Sequence, residues 1–151
     1  RRVHAMWQAA QLRPGELLID LGAGDGRIIL TAGKQYQARA IGVEIDPLRY
    51  YLCRLRIALA GLSGRVSMRW ANFFDMDLGE ADVITFYLSQ AAADRLAEKL
   101  RKELKPGARV VSHRRPLTGW TPYQVDPVHD LYVYRIAQAP QAQPVPASPD
   151  Q

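Results

Sequence analysis

The stretch "LIDLGAGDGR" at residues 18–27 decides the fold, because an apolar run ends there on a carboxylate and a glycine-rich turn. Asp20 lies near the end of the run, and Gly22, Gly24 and Gly26 follow at every second position. A buried strand, a tight turn and the start of a helix explain this order, since glycine lets a backbone turn approach a ligand closely. Backbone N–H groups at the start of such a helix face that ligand. The carboxylate beside the turn is therefore expected to serve binding.

Strand and helix patterns alternate along the rest of the chain. Strands are predicted at 16–21, 39–45, 65–70, 82–87 and 108–113, and short closing β segments at 123–125 and 131–136. Helices are predicted at 3–12, at 26–36, from the Asp46 cap to 61 or 64, and from the Ser89 cap to 105. The third of these helices carries apolar residues at helical spacing, namely Tyr51, Leu52, Leu55, Leu59 and Leu62. The order predicts an α/β, Rossmann-like, doubly wound and mostly parallel seven-strand sheet with an antiparallel edge pair.

Length and composition indicate one globular domain. The chain has 151 residues, of which 48% are hydrophobic and 23% charged, as in ordinary soluble proteins. The domain is predicted at 1–137, and the Pro/Ala/Gln-rich stretch "QAPQAQPVPASPDQ" at 138–151 is predicted to be disordered. The single cysteine, Cys53, excludes an intrachain disulfide, and no apolar run reaches the roughly 18 residues of a membrane span. The net charge of +5 fits either a solvated basic surface or nucleic-acid binding.

The chemistry of the glycine turn distinguishes between ligands. A dinucleotide site is typically G-x-G-x-x-G, whereas Gly22, Gly24 and Gly26 have the spacing G-x-G-x-G, preceded by Asp20. A carboxylate at that place repels a pyrophosphate and attracts an ammonium group. The ligand is therefore expected to have a cationic end and no phosphates, as in the methionine part of S-adenosylmethionine. The alternative is a purely structural tight turn.

Two further positions follow the next strands. Glu44 comes about twenty residues after the glycines, where an acidic side chain can hold ribose hydroxyls. Asn72 and Phe73 follow the third strand, where the edge and face of an adenine would lie, and a side-chain amide can both donate to and accept from that base. The alternatives are a helix-capping surface acid at Glu44 and a turn residue at Asn72.

The segments "LIDLGAGDGR", "AIGVEID", "DVITFYLS", "LKPGARVVSH" and "GW" together resemble the class I, or seven-strand, S-adenosylmethionine-dependent methyltransferases. More narrowly, the sequence resembles small protein-lysine methyltransferases, including the mitochondrial enzymes that act on the ATP synthase c-subunit and on the adenine nucleotide translocator. The likeness covers residues 3–136.

The resemblance implies S-adenosylmethionine as cofactor, S-adenosylhomocysteine as product, and a protein substrate presenting a lysine. The cofactor-binding residues are predicted to be Asp20, Gly22, Ala23, Gly24, Gly26, Glu44, Ile45, Asn72 and Phe73. Family members usually carry a "PTP"-type segment before the first helix, many have an N-terminal membrane anchor, and the adenine position is commonly Asp where this chain has Asn72. We therefore expect a cytoplasmic protein for the sequence as given, with membrane association if an anchor has been removed.

Four residues are predicted around the acceptor. A lysine must lose its proton before it accepts a methyl group, and desolvation beside a sulfonium favours that loss. Tyr87, Ser89 and His113 end the fourth and fifth strands, and Asp25 lies at the first helix after the glycines. His113 is either a proton relay or a structural histidine, and Asp25 either orients the acceptor, binds Arg27 or caps the helix. Trp120 is expected either to wall the acceptor channel or to pack in the core.

Three functions remain open on the sequence alone. The first is a protein-lysine N-methyltransferase, and the second a methyltransferase of RNA or of a small metabolite. The basic charge favours RNA, although no appended RNA-binding module is recognisable. The third is a non-catalytic S-adenosylmethionine-binding protein, which the presence of all the donor elements disfavours. No metal site is expected, because His4 and His129 lack partners at metal-ligand spacing.

Overall fold

The computed structural model describes residues 1–137, and the predicted tail at 138–151 lies outside them. Helices and strands alternate through this part of the chain as predicted. The helices are α1 (Arg2–Ala10), α2 (Arg27–Gln35), α3 (Pro47–Leu59) and α4 (Gln90–Glu103), with a short 3-10 helix at Phe73–Asp75. The strands are β1 (Leu17–Leu21), β2 (Arg39–Glu44), β3 (Val66–Trp70), β4 (Val83–Phe86), β5 (Arg109–His113), β6 (Gln124–Asp126) and β7 (Leu131–Arg135). None of the described helices is long and apolar enough to cross a bilayer.

All seven strands form one sheet, in the order β3-β2-β1-β4-β5-β7-β6. The first five pair in parallel, while β7 runs antiparallel to both β5 and β6. The predicted doubly wound sheet with its antiparallel edge pair is thereby confirmed. The chain moves outward from β1 to β3 and then resumes at β4, on the other side of β1. This reversal places the topological switch point, where ligands of such folds bind, at the carboxyl ends of β1 and β4.

Two cores enclose the sheet, and β1 contributes to both. Leu18 packs in the core that α1, α2 and α3 cover. Leu17, Ile19 and Leu21 pack in the opposite core, which α4 covers. All five residues of β1 are buried, as expected of a parallel strand with helices on both faces. By the same alternation Asp20 points to the side of Leu18, beneath the first three helices.

Cap residues set the helix boundaries and correct two predicted ones. The first helix ends at Ala10, short of the predicted residue 12, because Gln11 takes a left-handed conformation with φ of 53°. The second begins after Gly26, which the prediction included, because that residue has a φ of 78°. At α3 the predicted cap is confirmed, since the side chain of Asp46 accepts the Arg49 N–H.

Helix α3 turns a different face to the core from the one that its apolar spacing suggests. A stripe of this kind is typical of a core-facing helix side. Four of its apolar residues are nevertheless between 50% and 79% exposed, namely Tyr51, Leu52, Leu55 and Leu59. The residues that α3 buries are Cys53 and Ile57. The inward face is therefore narrow, and the apolar stripe lies on the surface.

Candidate functional site

The centre of the site is a buried carboxylate that is only partly hydrogen-bonded. Asp20 is 2% exposed, and the hydroxyl of its register partner Thr85 donates to its Oδ1 at 2.9 Å. Its Oδ2 is buried and has no hydrogen-bond partner in the described part of the chain. Burial raises the pKa of Asp20 to about 7; the Thr85 hydrogen bond opposes this rise, and the nearby charges of Glu44 and Asp25 add to it. A half-satisfied buried carboxylate is costly by itself, and a cationic ligand group would complete it.

The glycine turn folds over the end of the neighbouring strand. The N–H groups of Gly22 and Ala23 both donate to the carbonyl of Val43, at 2.9 and 3.0 Å. Gly24 and Gly26, like Gly22, have positive φ values, between 57° and 80°. A side chain at these positions would be strained, which explains why the turn is built from glycine.

Glu44 connects this turn to the start of α3. Its carboxylate is buried, with Oε2 accepting the Gly24 N–H at 3.1 Å and Oε1 accepting the Asp46 N–H at 3.3 Å. Each carboxylate oxygen has a further lone pair, so both can also accept a ligand hydroxyl. The surface-acid alternative for Glu44 does not hold, because the side chain is 7% exposed. Ile45, which follows it, is exposed.

Helix α3 also supports the turn through two residues that the sequence did not single out for the site. The buried thiol of Cys53 donates to the carbonyl of Gly24 at 3.0 Å. Burial raises the pKa of this thiol, which keeps it a neutral donor. The guanidinium of Arg56 donates to the carbonyl of Asp25 at 2.8 Å. These contacts join positions far apart in the chain, so no local pattern announces them.

The residues predicted for an adenine lie together after β3. The side chain of Asn72 accepts the Phe74 N–H at 3.0 Å and caps the short 3-10 helix, which is the turn role considered for it. Its amide nitrogen donates to no other residue within 1–137 and can serve a ligand. The ring of Phe73 lies 4.6 Å from that of Phe74, between centroids, and packs at the edge of the second core.

A pocket of about 370 Å³ opens beside Asp20 and Gly22. Helix α1 forms one wall through Arg2, Val3 and Met6, a contribution that the sequence did not reveal. The ends of β4 and β5 form another wall. The pocket therefore extends from the buried carboxylate to the surface.

Tyr87 and His113 face each other on that second wall. Their ring centroids are 5.0 Å apart, and Nε2 of His113 is buried without a hydrogen-bond partner among the described residues. Burial lowers the pKa of His113, and the charges of Arg2 and Arg114 lower it further. The imidazole is thus neutral at pH 7. Arg114 donates to the Tyr87 hydroxyl at 3.2 Å.

Asp25 and Ser89, the other two predicted acceptor residues, have structural contacts. Oδ1 of Asp25 accepts the Arg27 N–H at 3.0 Å, and Oδ2 forms an ion pair with the Arg27 guanidinium at 3.2 Å. Asp25 still lines the pocket. Ser89 caps α4 by accepting the Ala92 N–H and is not among the pocket-lining residues.

The residues match the parts of S-adenosylmethionine in order along the sheet. Asp20, with its free Oδ2, would hold the ammonium group, and the bare turn leaves room for the methionine chain. Glu44 would take the ribose hydroxyls, while Asn72 and Phe73 would hold the adenine. These groups lie at the carboxyl ends of β1 and β2 and just after β3, at one edge of the sheet. A diphosphate in the same place would meet two buried carboxylates.

Comparison with known proteins agrees with this chemistry. The ANTKMT methyltransferase domain family matches residues 20–124. A protein-lysine N-methyltransferase from Saccharolobus islandicus is 41% identical, covering 90% of this chain and 89% of its own length. The adenine nucleotide translocase lysine N-methyltransferase of Mus musculus is 36% identical over 83% of this chain, but the match spans only 54% of the mouse protein.

A solved structure is similar over almost the whole chain. It is described as an RNA methyltransferase from Salinibacter ruber in complex with S-adenosyl-L-homocysteine. It is 34% identical with a TM-score of 0.86, covering 99% of this chain and 95% of its own. The chain thus belongs to the ANTKMT methyltransferase domain family and is an S-adenosylmethionine-dependent methyltransferase.

Proposed function

We propose that this protein methylates the ε-amino group of a lysine in a protein substrate. The observation that carries the proposal is the pocket that both the buried Asp20 carboxylate and the neutral His113 imidazole line. A long, unbranched amine can enter such a channel and reach the donor. The names of the archaeal and mouse relatives, both lysine N-methyltransferases, support the same acceptor.

The chain's own residues would position the reactants. Asp20 would bind the ammonium end of the donor, and Glu44 its ribose. When bound, S-adenosylmethionine supplies a methyl group on a sulfonium, and it leaves as S-adenosylhomocysteine. The lysine nitrogen must lie in line with the breaking carbon–sulfur bond, and this alignment is the main contribution of a methyltransferase site. Tyr87, at the end of β4, would form the side of the channel next to the amine.

The proton balance assigns a role to His113. The lysine ammonium loses one proton before it reacts, because only the neutral nitrogen can attack the methyl group. The methylated nitrogen formed in the transfer is again positively charged, so one proton is released in each turnover. The neutral imidazole has a buried ring nitrogen without a partner among residues 1–137, so it can accept a proton or relay it through water. Its loss should slow transfer more near pH 7, where the imidazole is neutral and free amine is scarce, than near pH 9.

RNA is the second candidate acceptor. It is favoured by the description of the Salinibacter ruber protein and by the net charge of +5. An RNA acceptor requires a basic track for the phosphate backbone on the surface around the pocket. The lysine proposal needs only the channel itself.

Transfer of labelled methyl groups distinguishes the two acceptors. The protein is incubated with methyl-labelled donor and a cell lysate, and the lysate is then separated into protein, RNA and small molecules. The lysine proposal predicts label in protein that appears as methyl-lysine after acid hydrolysis and is absent when substrate lysines are chemically blocked. Label confined to RNA would contradict it. Asp20→Asn serves as the inactive control.

A further inference from the structure

The pocket beside Asp20 carries positive charge where α1 and the end of β5 line it. Arg2 and Arg114 both line the pocket beside His113. The guanidinium of Arg114 lies 5.5 Å from the centroid of the Tyr87 ring and donates to its hydroxyl at 3.2 Å. Arg114 is exposed, but these two contacts keep its guanidinium beside the Tyr87 ring at the mouth of the pocket. The positive charges of both arginines also reach His113, because they help to lower the pKa of its imidazole.

The carboxylates of the pocket do not neutralise this wall. Asp25 is engaged by Arg27 in an ion pair of 3.2 Å, and Asp20 is buried and bound to Thr85. Within residues 1–137, neither Arg2 nor Arg114 has a carboxylate at ion-pair distance. Two guanidinium groups at the channel are therefore available to an anionic partner.

This charge has a consequence for the acceptor. A lysine approaches as a cation, and it meets the two arginines and then the sulfonium of the donor. The repulsion favours loss of the lysine proton, but it also opposes binding unless the substrate brings compensating charge. The planar guanidinium fork of arginine pairs best with carboxylates and phosphates.

On the basis of the proposed function, we infer that the substrate lysine is flanked by acidic side chains, which pair with Arg114 and Arg2 while the lysine enters the channel. These carboxylates neutralise the two arginines, and the sulfonium of the bound donor then favours loss of the lysine proton. The same contact rejects lysines within basic stretches, because like charges would then face each other at the channel. Charge around the target lysine thus determines specificity.

The test uses peptides that differ only beside one central lysine. The lysine is flanked on both sides by Glu, by Gln or by Arg, and kcat/KM is measured with the full-length protein. We expect the Glu peptide to exceed the Gln peptide by about three- to tenfold, the range for one or two partly exposed ion pairs, and the Arg peptide to be poorest. The preference should shrink as salt is raised.

Variants assign the preference to the arginine wall. In Arg114→Gln, kcat/KM for the Glu peptide should fall towards kcat/KM for the Gln peptide. Arg114→Lys should retain most of the preference for the Glu peptide. The matched control is Arg13→Gln, which removes an equal charge before β1, at the opposite edge of the sheet. Arg2→Gln tests the second arginine independently of the Tyr87 contact.

Each outcome decides a different claim. Equal kcat/KM for the three peptides would overturn the inference and leave lysine methylation intact. An unchanged ratio in both the Arg114→Gln and the Arg2→Gln proteins would also overturn it. The proposed function, and the inference with it, would be overturned if the protein labelled RNA but none of the peptides. In that case the protein must also be shown to bind S-adenosylhomocysteine normally.

Discussion

The Thr85 hydroxyl donates to Oδ1 of Asp20 at 2.9 Å, from the adjacent strand and in direct register. This single side-chain contact joins β1 to β4 at the point where the chain reverses its direction across the sheet. It satisfies one carboxylate oxygen and leaves the other, Oδ2, buried without a partner among the described residues. The fold therefore holds a carboxylate ready for a cation without neutralising it.

Replacing Thr85 tests this contact. In Thr85→Val the hydrogen bond is lost, the pKa of Asp20 rises further, and less of the carboxylate is charged at pH 7. A hydrogen bond to a charged group contributes about 1.5–3 kcal/mol, so the Kd for S-adenosylhomocysteine should rise roughly tenfold or more. Thr85→Ser keeps the hydroxyl and should bind within about threefold of wild type. Calorimetric titration checks both, and wild-type affinity in Thr85→Val would refute the role given to Thr85.

Gly42 is a packing position beneath the glycine turn. A Cβ there would lie 2.6 Å from Sδ of Met68 and 2.8 Å from both Cβ of Ala23 and Cδ1 of Ile29. Gly42→Ala should therefore lower the free energy of unfolding by about 1–3 kcal/mol and displace the turn that carries Ala23. Urea denaturation measures the first effect and donor affinity the second. Gly64→Ala is the control, because its Cβ would meet no atom within 4 Å; a similar loss in both would contradict this packing.

The two faces of α3 should differ sharply in stability measurements. Ile57 is 4% exposed, so Ile57→Ala should cost about 2–5 kcal/mol of unfolding free energy. Leu55 is 55% exposed, and Leu55→Ala should change the free energy of unfolding by less than about 0.5 kcal/mol. Thermal or urea unfolding of the pair decides the matter. A larger loss at Leu55 than at Ile57 would mean that the apolar stripe, and not the narrow face, packs in the monomer.

Asp20 should also reduce the stability of the ligand-free protein. Its folded pKa of about 7 lies above the ordinary carboxyl value of 3.8, so the protonated form is the one that folding favours. The associated stability is fully present below about pH 4 and is lost as pH rises through 7. Asp20→Asn removes this loss and should be more stable than wild type by a few kcal/mol at pH 8. Urea denaturation at pH 4 and 8 checks the difference; a less stable variant at pH 8 would oppose the burial argument.

Local patterns were sufficient to predict the elements and the sheet. Asp46 before Pro47 signals a cap, and the structure places it so. The alternation of strands and helices predicts the parallel sheet, since crossover helices must cover both faces. The apolar spacing of α3 indicates that the helix has an apolar face, but it does not indicate which face packs against the sheet. Cys53 and Ile57 form the buried side.

Sequence patterns predict the part of the site that lies at the ends of strands, but not the contacts between distant side chains. Asp20 and Glu44 lie at the carboxyl ends of β1 and β2, and the glycines follow β1, so the parallel sheet brings them to one edge. Thr85 is the polar residue of the buried strand "VITF", and this pattern is the sequence signal for its role. The contacts of Arg56 and Arg114 depend on long side chains reaching across loops, which no spacing rule describes. The pocket wall from α1 likewise depends on how that helix packs across the sheet.

The central claim is that a charged Asp20 binds the ammonium group of the donor. Calorimetric titration with S-adenosylhomocysteine, from pH 5 to 8 and in two buffers of different ionisation enthalpy, tests it most directly. Binding should release up to one proton near pH 6, and affinity should rise with pH by at most about tenfold per unit before levelling off above 7. Asp20→Asn should bind far more weakly and lose this pH dependence. The claim would be contradicted if the affinity of the wild type did not change with pH and Asp20→Asn bound S-adenosylhomocysteine as tightly as the wild type.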